Sequence, residues 1–170
     1  MYTFLRLAGL LGFLSLSCAV IINLYKPEMK QIFGRPFLPV HHFFALSGLI
    51  LITLHPILVV LLSSNLTIFL PDFSSFVAFF SNGGRIAIIL IYLVCIAGLL
   101  RLSFQNKWKF VHRLIYPALV IAIVHANLMG ATFQNPLIWL LYNGLAGAVL
   151  VTGIIKVLRR REKRRITSSA

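Results

Sequence analysis

Acidic residues are scarce in this sequence. Only three of its 170 residues are Asp or Glu, against 16 Lys and Arg, and the formal net charge is +13. A catalytic pair of carboxylates or a nucleophile triad is therefore not available. In a soluble protein this balance would suggest a nucleic-acid partner, but between hydrophobic spans it indicates basic residues that contact anionic lipid headgroups. We expect membrane lipid as a partner and no nucleic acid.

Cysteine is almost as rare. Cys18 and Cys95 are the two cysteines of the chain, and each lies inside an apolar run. Neither belongs to a pair spaced by two residues, so the sequence predicts no metal-binding cysteine pair and no covalently attached c-type haem. Both are best explained as small hydrophobic core residues.

Hydrophobic residues, in contrast, make up 59% of the chain. A helix that spans a membrane needs ~20 mostly apolar residues, and five stretches meet this requirement. They are residues 4–25, 39–62, 85–102, 109–129 and 136–158. The sequence therefore predicts an all-α fold, a polytopic membrane helix bundle of about five transmembrane helices.

Lys and Arg are absent from two of the loops, residues 63–84 and 130–135. The other loops and the tail are basic, through Lys26, Lys30, Arg35, Lys107, Lys109 and the block 159–165. Because basic loops remain in the cytoplasm, we expect the N-terminus outside and the C-terminus inside a plasma (inner) membrane. The first span is expected to be retained, since more positive charge follows it than precedes it.

All five histidines lie in two of the predicted spans. His41, His42 and His55 belong to the second, and His112 and His125 to the fourth. An ionisable side chain inside a membrane helix is by default functional, and paired imidazoles from two helices are the usual axial ligands of b-type haem. Intervals of 14 and 13 residues correspond to ~20 Å along a helix. The pattern predicts two stacked haems, the inner between His41 or His42 and His112, the outer between His55 and His125.

The helical geometry of these intervals differs. Fourteen residues return to within ~40° of the same face, whereas 13 residues are ~140° away from it in an ideal helix. This favours His41 over His42 as the partner of His55 on one face. Pro117 lies between His112 and His125, and we expect it to kink or retwist that helix.

Other residues at the same two levels suit a haem site. Gly48 would let a flat ring approach the backbone. At the inner level Arg113, Lys109 and Arg35 could pair with haem propionates, and Arg85 could do so at the outer level. An ordinary role as positive membrane anchors explains Lys109 and Arg35 equally well.

Together these residues resemble the ferric-reductase-type transmembrane domain. That superfamily includes NADPH oxidases, ferric reductases and the haem-binding membrane subunit of the bacterial methionine-sulfoxide reductase system. The resemblance covers about residues 37–158 and is carried by Trp108, His112, Arg113, Tyr116 and His125, with His41, His42, Gly48 and His55 on the earlier span.

The resemblance implies that His41, His55, His112 and His125 ligate two b haems and that electrons pass from the cytoplasmic side outward. The family domain usually has six spans, and five are expected here. No flavin or nucleotide domain is expected in this chain. The electron donor would therefore be a quinol or a separate flavoprotein. The acceptor would be external, such as ferric iron, oxygen or a partner reductase, so the chain would be the electron-transfer component of an oxidoreductase.

Three regions follow from this interpretation. Residues 1–36 are the first transmembrane helix and a basic cytoplasmic loop, residues 37–158 the ferric-reductase-like haem-binding core, and residues 159–170 a basic cytoplasmic tail.

Two other classes of protein also fit the composition. A transporter or channel could use the histidines to relay protons or bind a transition metal without haem. Transport sites, however, usually lie near the middle of the membrane, which these histidines avoid. A haem-free assembly subunit would leave the matched depths of the histidines unexplained.

Overall fold

The computed structural model describes residues 1–103 and 107–168, and this part of the chain is all-helical. The last two residues of the predicted tail, 169–170, lie outside the described residues. The α-helices of the described part are α1 (Tyr2–Ile21), α2 (Glu28–Phe33), α3 (Phe37–Ser63), α4 (Phe76–Ser81), α5 (Gly83–Leu99), α6 (Trp108–His112), α7 (Ile115–Met129) and α8 (Pro136–Ser168).

Four apolar segments of the described chain are long enough to cross a membrane. They are Tyr2–Leu24, Phe37–Ser63, Trp108–Met129 and Pro136–Thr167. The third predicted span is the shorter helix α5, whose 17 residues rise about 25 Å against a hydrocarbon core of ~30 Å. The polytopic all-α membrane bundle predicted from the sequence is confirmed, with one span shorter than a typical transmembrane helix.

Two antiparallel helix pairs form the bundle. Helix α3 packs mainly along α1, while α7 packs along α5, and α8 contacts both α1 and α7. The fully buried core lies where α7 meets α8, around Ala118, Leu119 and Val149. Large apolar side chains such as Ile50 and Leu61 of α3 are exposed, as expected for a helix that faces lipid tails.

Glycines allow α1 and α3 to approach closely. A Cβ atom at Gly12 would lie 2.6 Å from Cγ2 of Ile52, and one at Gly48 would lie 2.7 Å from Cγ of Leu16. Both distances are too short for a side-chain carbon, so only glycine fits at these contacts. Small residues at the interface are a general means of packing membrane helices, because lipid tails supply no hydrophobic drive between them.

The fourth predicted span is divided into α6 and α7. Pro117 has no backbone N–H, so the carbonyl of Arg113 lacks its usual helical partner four residues later. That carbonyl accepts instead from the N–H of Tyr116 (3.1 Å), and the regular ladder resumes with Ala118 donating to Leu114 (3.0 Å). The predicted kink at Pro117 is confirmed, and the irregular turn lies immediately after His112.

The loop between α3 and α5 is folded back on itself by local hydrogen bonds. Asp72 accepts from the backbone N–H of Ser74 (3.0 Å) and from the side chain of Asn82 (3.3 Å). Hydrogen bonds from Ser74 hold the pKa of the Asp72 carboxyl below its usual value. Arg85 donates to the carbonyl of Leu70. These contacts place α4 against the beginning of α5.

Helices α7 and α8 are joined by a reciprocal pair of amides. The side chain of Asn127 donates to that of Asn143 (3.1 Å) and accepts from it (3.2 Å). Each amide also donates to a carbonyl four residues earlier in its own helix, Ile123 or Trp139. The pair therefore satisfies two polar groups where water is scarce.

Replacing Asn127 with Ala should lower the free energy of unfolding by about 1 kcal/mol, as measured for hydrogen bonds between membrane helices. The loss arises because Asn143 is left without its partner. Equilibrium unfolding in detergent would measure it. Asn143→Ala is the reciprocal control, and the double variant should cost less than the sum of the two. Strict additivity would show that the two amides do not interact.

Candidate functional site

The two histidines of α3 predicted as ligands both bond to α1. Nδ1 of His41 lies 2.9 Å from the carbonyl oxygen of Ala19, and Nδ1 of His55 lies 2.9 Å from that of Leu5. A carbonyl only accepts, so each Nδ1 carries the proton and donates, and each neutral imidazole has its lone pair on Nε2. The same interval of 14 residues separates the two histidines and the two carbonyls, as an antiparallel pair of helices requires.

The histidines of the second pair repeat this arrangement. Nδ1 of His112 donates to the carbonyl of Val94 in α5 (3.2 Å), and Nδ1 of His125 donates to the carbonyl of Ser81 at the end of α4 (2.6 Å). Here 13 residues separate both the histidines and the carbonyls. The unequal spacings of the two histidine helices are therefore each matched by the helix that supports them.

His42 has a different environment. It is exposed, whereas the other four histidines are partly buried. Its ring lies 6.0 Å from that of His41, but His41 is the one that bonds to α1. The structure thus places His41, and not His42, on the inward face of α3.

The rings of His41 and His112 face each other between the two helix pairs. Their centroids are 6.2 Å apart, with 60° between the ring planes. Two imidazoles on opposite sides of one metal atom have centroids about 6 Å apart, because each metal–nitrogen bond is ~2 Å and each ring adds about 1 Å. The distance therefore fits a metal atom shared by the two rings.

A cavity of about 740 Å³ opens beside this pair. Its volume falls in the range of ~300–1,000 Å³ that is usual for ligand and cofactor sites. Trp108 and Tyr116 contribute aromatic lining. The lining also includes six cationic side chains, from Lys26, Lys109, Arg113, Lys156, Arg160 and Arg161, and no Asp or Glu from the described residues. The cavity can therefore take a large apolar ligand that carries acid groups at one end.

Lys156 is a site residue that the sequence analysis missed. It lies inside the predicted fifth span, and we had assigned the basic block after it only to membrane anchoring. In the structure one face of α8 lines the cavity, through Gly153, Lys156, Val157, Arg160 and Arg161. A helical repeat that joins a lone intramembrane lysine to two arginines was the available signal, because residues three and four apart share a face.

The remaining predicted residues are distributed between the two levels. Arg113 lines the inner cavity. Arg85 lies in the first turn of α5, on the same side of the bundle as Ser81 and His125. Gly48 contacts Leu16 of α1, so in this structure its lack of a side chain serves helix packing. Contact between Gly48 and a flat ring stays a prediction.

The hydrogen bonds of the histidines predict their tautomers. In protein labelled with ¹⁵N-histidine and prepared without added ligand, His41, His55, His112 and His125 should show a protonated Nδ1 and an unprotonated Nε2. The Nδ1-bound carbonyls impose this form, whereas free imidazole leaves both tautomers accessible. Two-dimensional ¹⁵N–¹H spectra distinguish them. A protonated Nε2 at these positions would contradict the geometry, and His42, which is exposed, is the internal control.

Comparison with known proteins gives one relative that can be described. The chain is similar to the haem-binding subunit of protein-methionine-sulfoxide reductase, MsrQ, of Rhodospirillum rubrum, with 35% identity over 72 residues. The match covers 42% of this chain and 33% of that protein, so this chain matches about a third of the length of its relative. No protein-family model and no solved structure matches the chain.

Proposed function

We propose that this chain is a membrane electron-transfer subunit that binds two b-type haems between its two histidine helices. One observation carries the proposal. Four partly buried histidines lie at two depths, and each is held by its Nδ1 in the tautomer whose Nε2 can bind iron. A second-group hydrogen bond to the non-ligating nitrogen is the usual support of a metal-binding histidine. The name of the similar MsrQ protein, a haem-binding subunit, supports the same conclusion.

His41 and His112 would hold the inner haem. Their ring separation suits a shared iron, and the cavity beside them can accept the macrocycle. Arg113, Lys156 and Arg160 line that cavity and would pair with the two propionates, because a carboxylate in an apolar site needs a cationic partner. When bound, the haem supplies an iron that takes up and releases one electron.

His55 and His125 would hold the outer haem. Along α3 this second level is ~20 Å from the first, so two sites could pass an electron across most of the hydrocarbon core. Arg85 is the cation that we propose for the outer propionates, since it begins the helix next to His125. The backbone carbonyls of Leu5 and Ser81 orient the two rings.

The charge of the two membrane faces suggests the direction of electron flow. The basic loops and the basic end of α8 lie on the face near the inner pair, which we assign to the cytoplasm of a plasma (inner) membrane. A quinol or a separate flavoprotein would deliver electrons there. An external acceptor, or a partner reductase, would receive them at the outer face.

Purified protein should show the reduced-minus-oxidised spectrum of b-type haem, with two haems per chain. His41→Ala or His112→Ala should remove one haem, and His55→Ala or His125→Ala the other, because each iron loses an axial ligand. His42→Ala is the matched control beside His41 and should retain both haems. A colourless wild-type protein would contradict the proposal and favour a proton or metal transporter.

The cationic lining of the inner cavity gives a second test. Lys156→Met should weaken inner-haem binding about tenfold, a loss of ~1.4 kcal/mol, because one propionate partner is removed. Its midpoint potential should also fall by some tens of millivolts, since a nearby positive charge favours the reduced haem. Arg159→Met is the control, because Arg159 is exposed and is not among the residues that line the cavity. Equal effects of the two variants would exclude a specific role for Lys156.

A further inference from the structure

The two outer histidines rest against glycines of the helices that support them. Gly9 follows Leu5, the acceptor of the His55 hydrogen bond, by one turn of α1. Gly84 follows Ser81, the acceptor of the His125 hydrogen bond, by three residues and lies in the first turn of α5. Each support thus consists of an accepting carbonyl and a residue without a side chain beside it.

The distances leave no room for a methyl group at either glycine. A Cβ atom at Gly9 would lie 3.0 Å from Nδ1 of His55 and 3.3 Å from Cε1. A Cβ atom at Gly84 would lie 2.9 Å from Nε2 of His125 and 3.0 Å from Cδ2. These contacts are tighter than side-chain carbons make in folded proteins, and neither ring can move away without stretching its Nδ1 hydrogen bond.

The inner histidines are supported differently. On α1 the residue one turn after the acceptor Ala19 is Asn23, which lines the inner cavity. On α5 a Cβ atom at Gly98 would lie 3.7 Å from the ring of His112, an ordinary contact. The close approach of ring to backbone is therefore a property of the outer pair.

We propose that Gly9 and Gly84 are positioning residues for the outer histidine pair. Gly9 lets the ring of His55 lie flat enough on α1 to reach the carbonyl of Leu5. Gly84 does more, because it keeps open the space at Nε2 of His125, the atom that would bind iron. The inference rests on the proposed haem function, and it makes the outer site depend on two residues that carry no ligating atom.

Packing glycines in the same helices allow this role to be separated from a general effect on helix contact. Gly12, one turn after Gly9 on α1, would clash through a Cβ atom with Ile52 (2.6 Å). Gly144 of α8 has nothing within 4 Å of such an atom. The first is a control for helix separation and the second for the glycine-to-alanine change itself.

The test uses full-length protein purified in detergent, with Gly9→Ala, Gly84→Ala, Gly12→Ala and Gly144→Ala compared with the wild type. Haem per chain, reduced-minus-oxidised spectra, redox titration and low-temperature EPR are the readouts. We expect Gly84→Ala to fall from two haems to one, with the remaining haem at its wild-type midpoint potential. Gly9→Ala should reduce outer-haem occupancy at least twofold and shift its EPR signal, which reports ligand orientation. Gly144→Ala should match the wild type.

Several results would overturn the proposal. Full outer-haem occupancy and an unchanged EPR signal in both Gly9→Ala and Gly84→Ala would do so. Equal and selective loss of the outer haem in Gly12→Ala would do so too, because the effect would then be one of helix separation. The two glycines lie on different helices, so if one variant fails to fold, the other still decides.

The proposal and the haem function fail separately. If the wild type binds no haem, the proposed function is wrong, but the ring positions can still be measured in the haem-free protein. There the ¹⁵N shifts of His125 in Gly84→Ala, and of His55 in Gly9→Ala, should move toward those of an imidazole whose Nδ1 is not hydrogen-bonded. Wild-type shifts in both variants would show that the glycines do not position the rings.

Discussion

The hydrogen bond from each partly buried imidazole to a carbonyl of the neighbouring helix is the interaction on which the rest of the structure depends. Inside a membrane an unpaired N–H is costly, because no water is present to replace its partner. A helix carbonyl has a second lone pair beyond its own helical bond and can accept from a side chain. Four such bonds join α3 to α1 and α7 to the α4–α5 region.

These bonds fix the register of both helix pairs and divide the helices by role. Helices α1 and α5 provide carbonyls and close-packing glycines, whereas α3, α6 and α7 provide imidazoles. Because each pair is antiparallel and its carbonyls repeat the spacing of its histidines, the imidazoles lie at two common depths. Helix α8 contributes no histidine and instead adds a cationic face to the cavity at the inner level.

The helix ends and the missing hydrogen bond at Pro117 show how far local sequence controls this fold. The apolar runs predicted the crossing helices, because the length needed to span a bilayer is a property of each segment alone. Pro117 predicted an irregular turn for the same reason, since it lacks an N–H wherever it is placed. Helix α5 proved shorter than its predicted span, because α4 and the folded loop before it bring the chain to the bundle in a different way.

The sequence by itself determined that the chain is a helical membrane bundle, that its histidines lie at two levels, and that one face is basic. Hydropathy, residue spacing and charge are local quantities, and they can be read without knowing which helices touch. The tertiary structure alone decided that His41 and not His42 faces inward, that Gly48 packs against Leu16, and that Lys156 joins the cavity. Each of these depends on which face of one helix meets another, and that follows only from packing across the bundle.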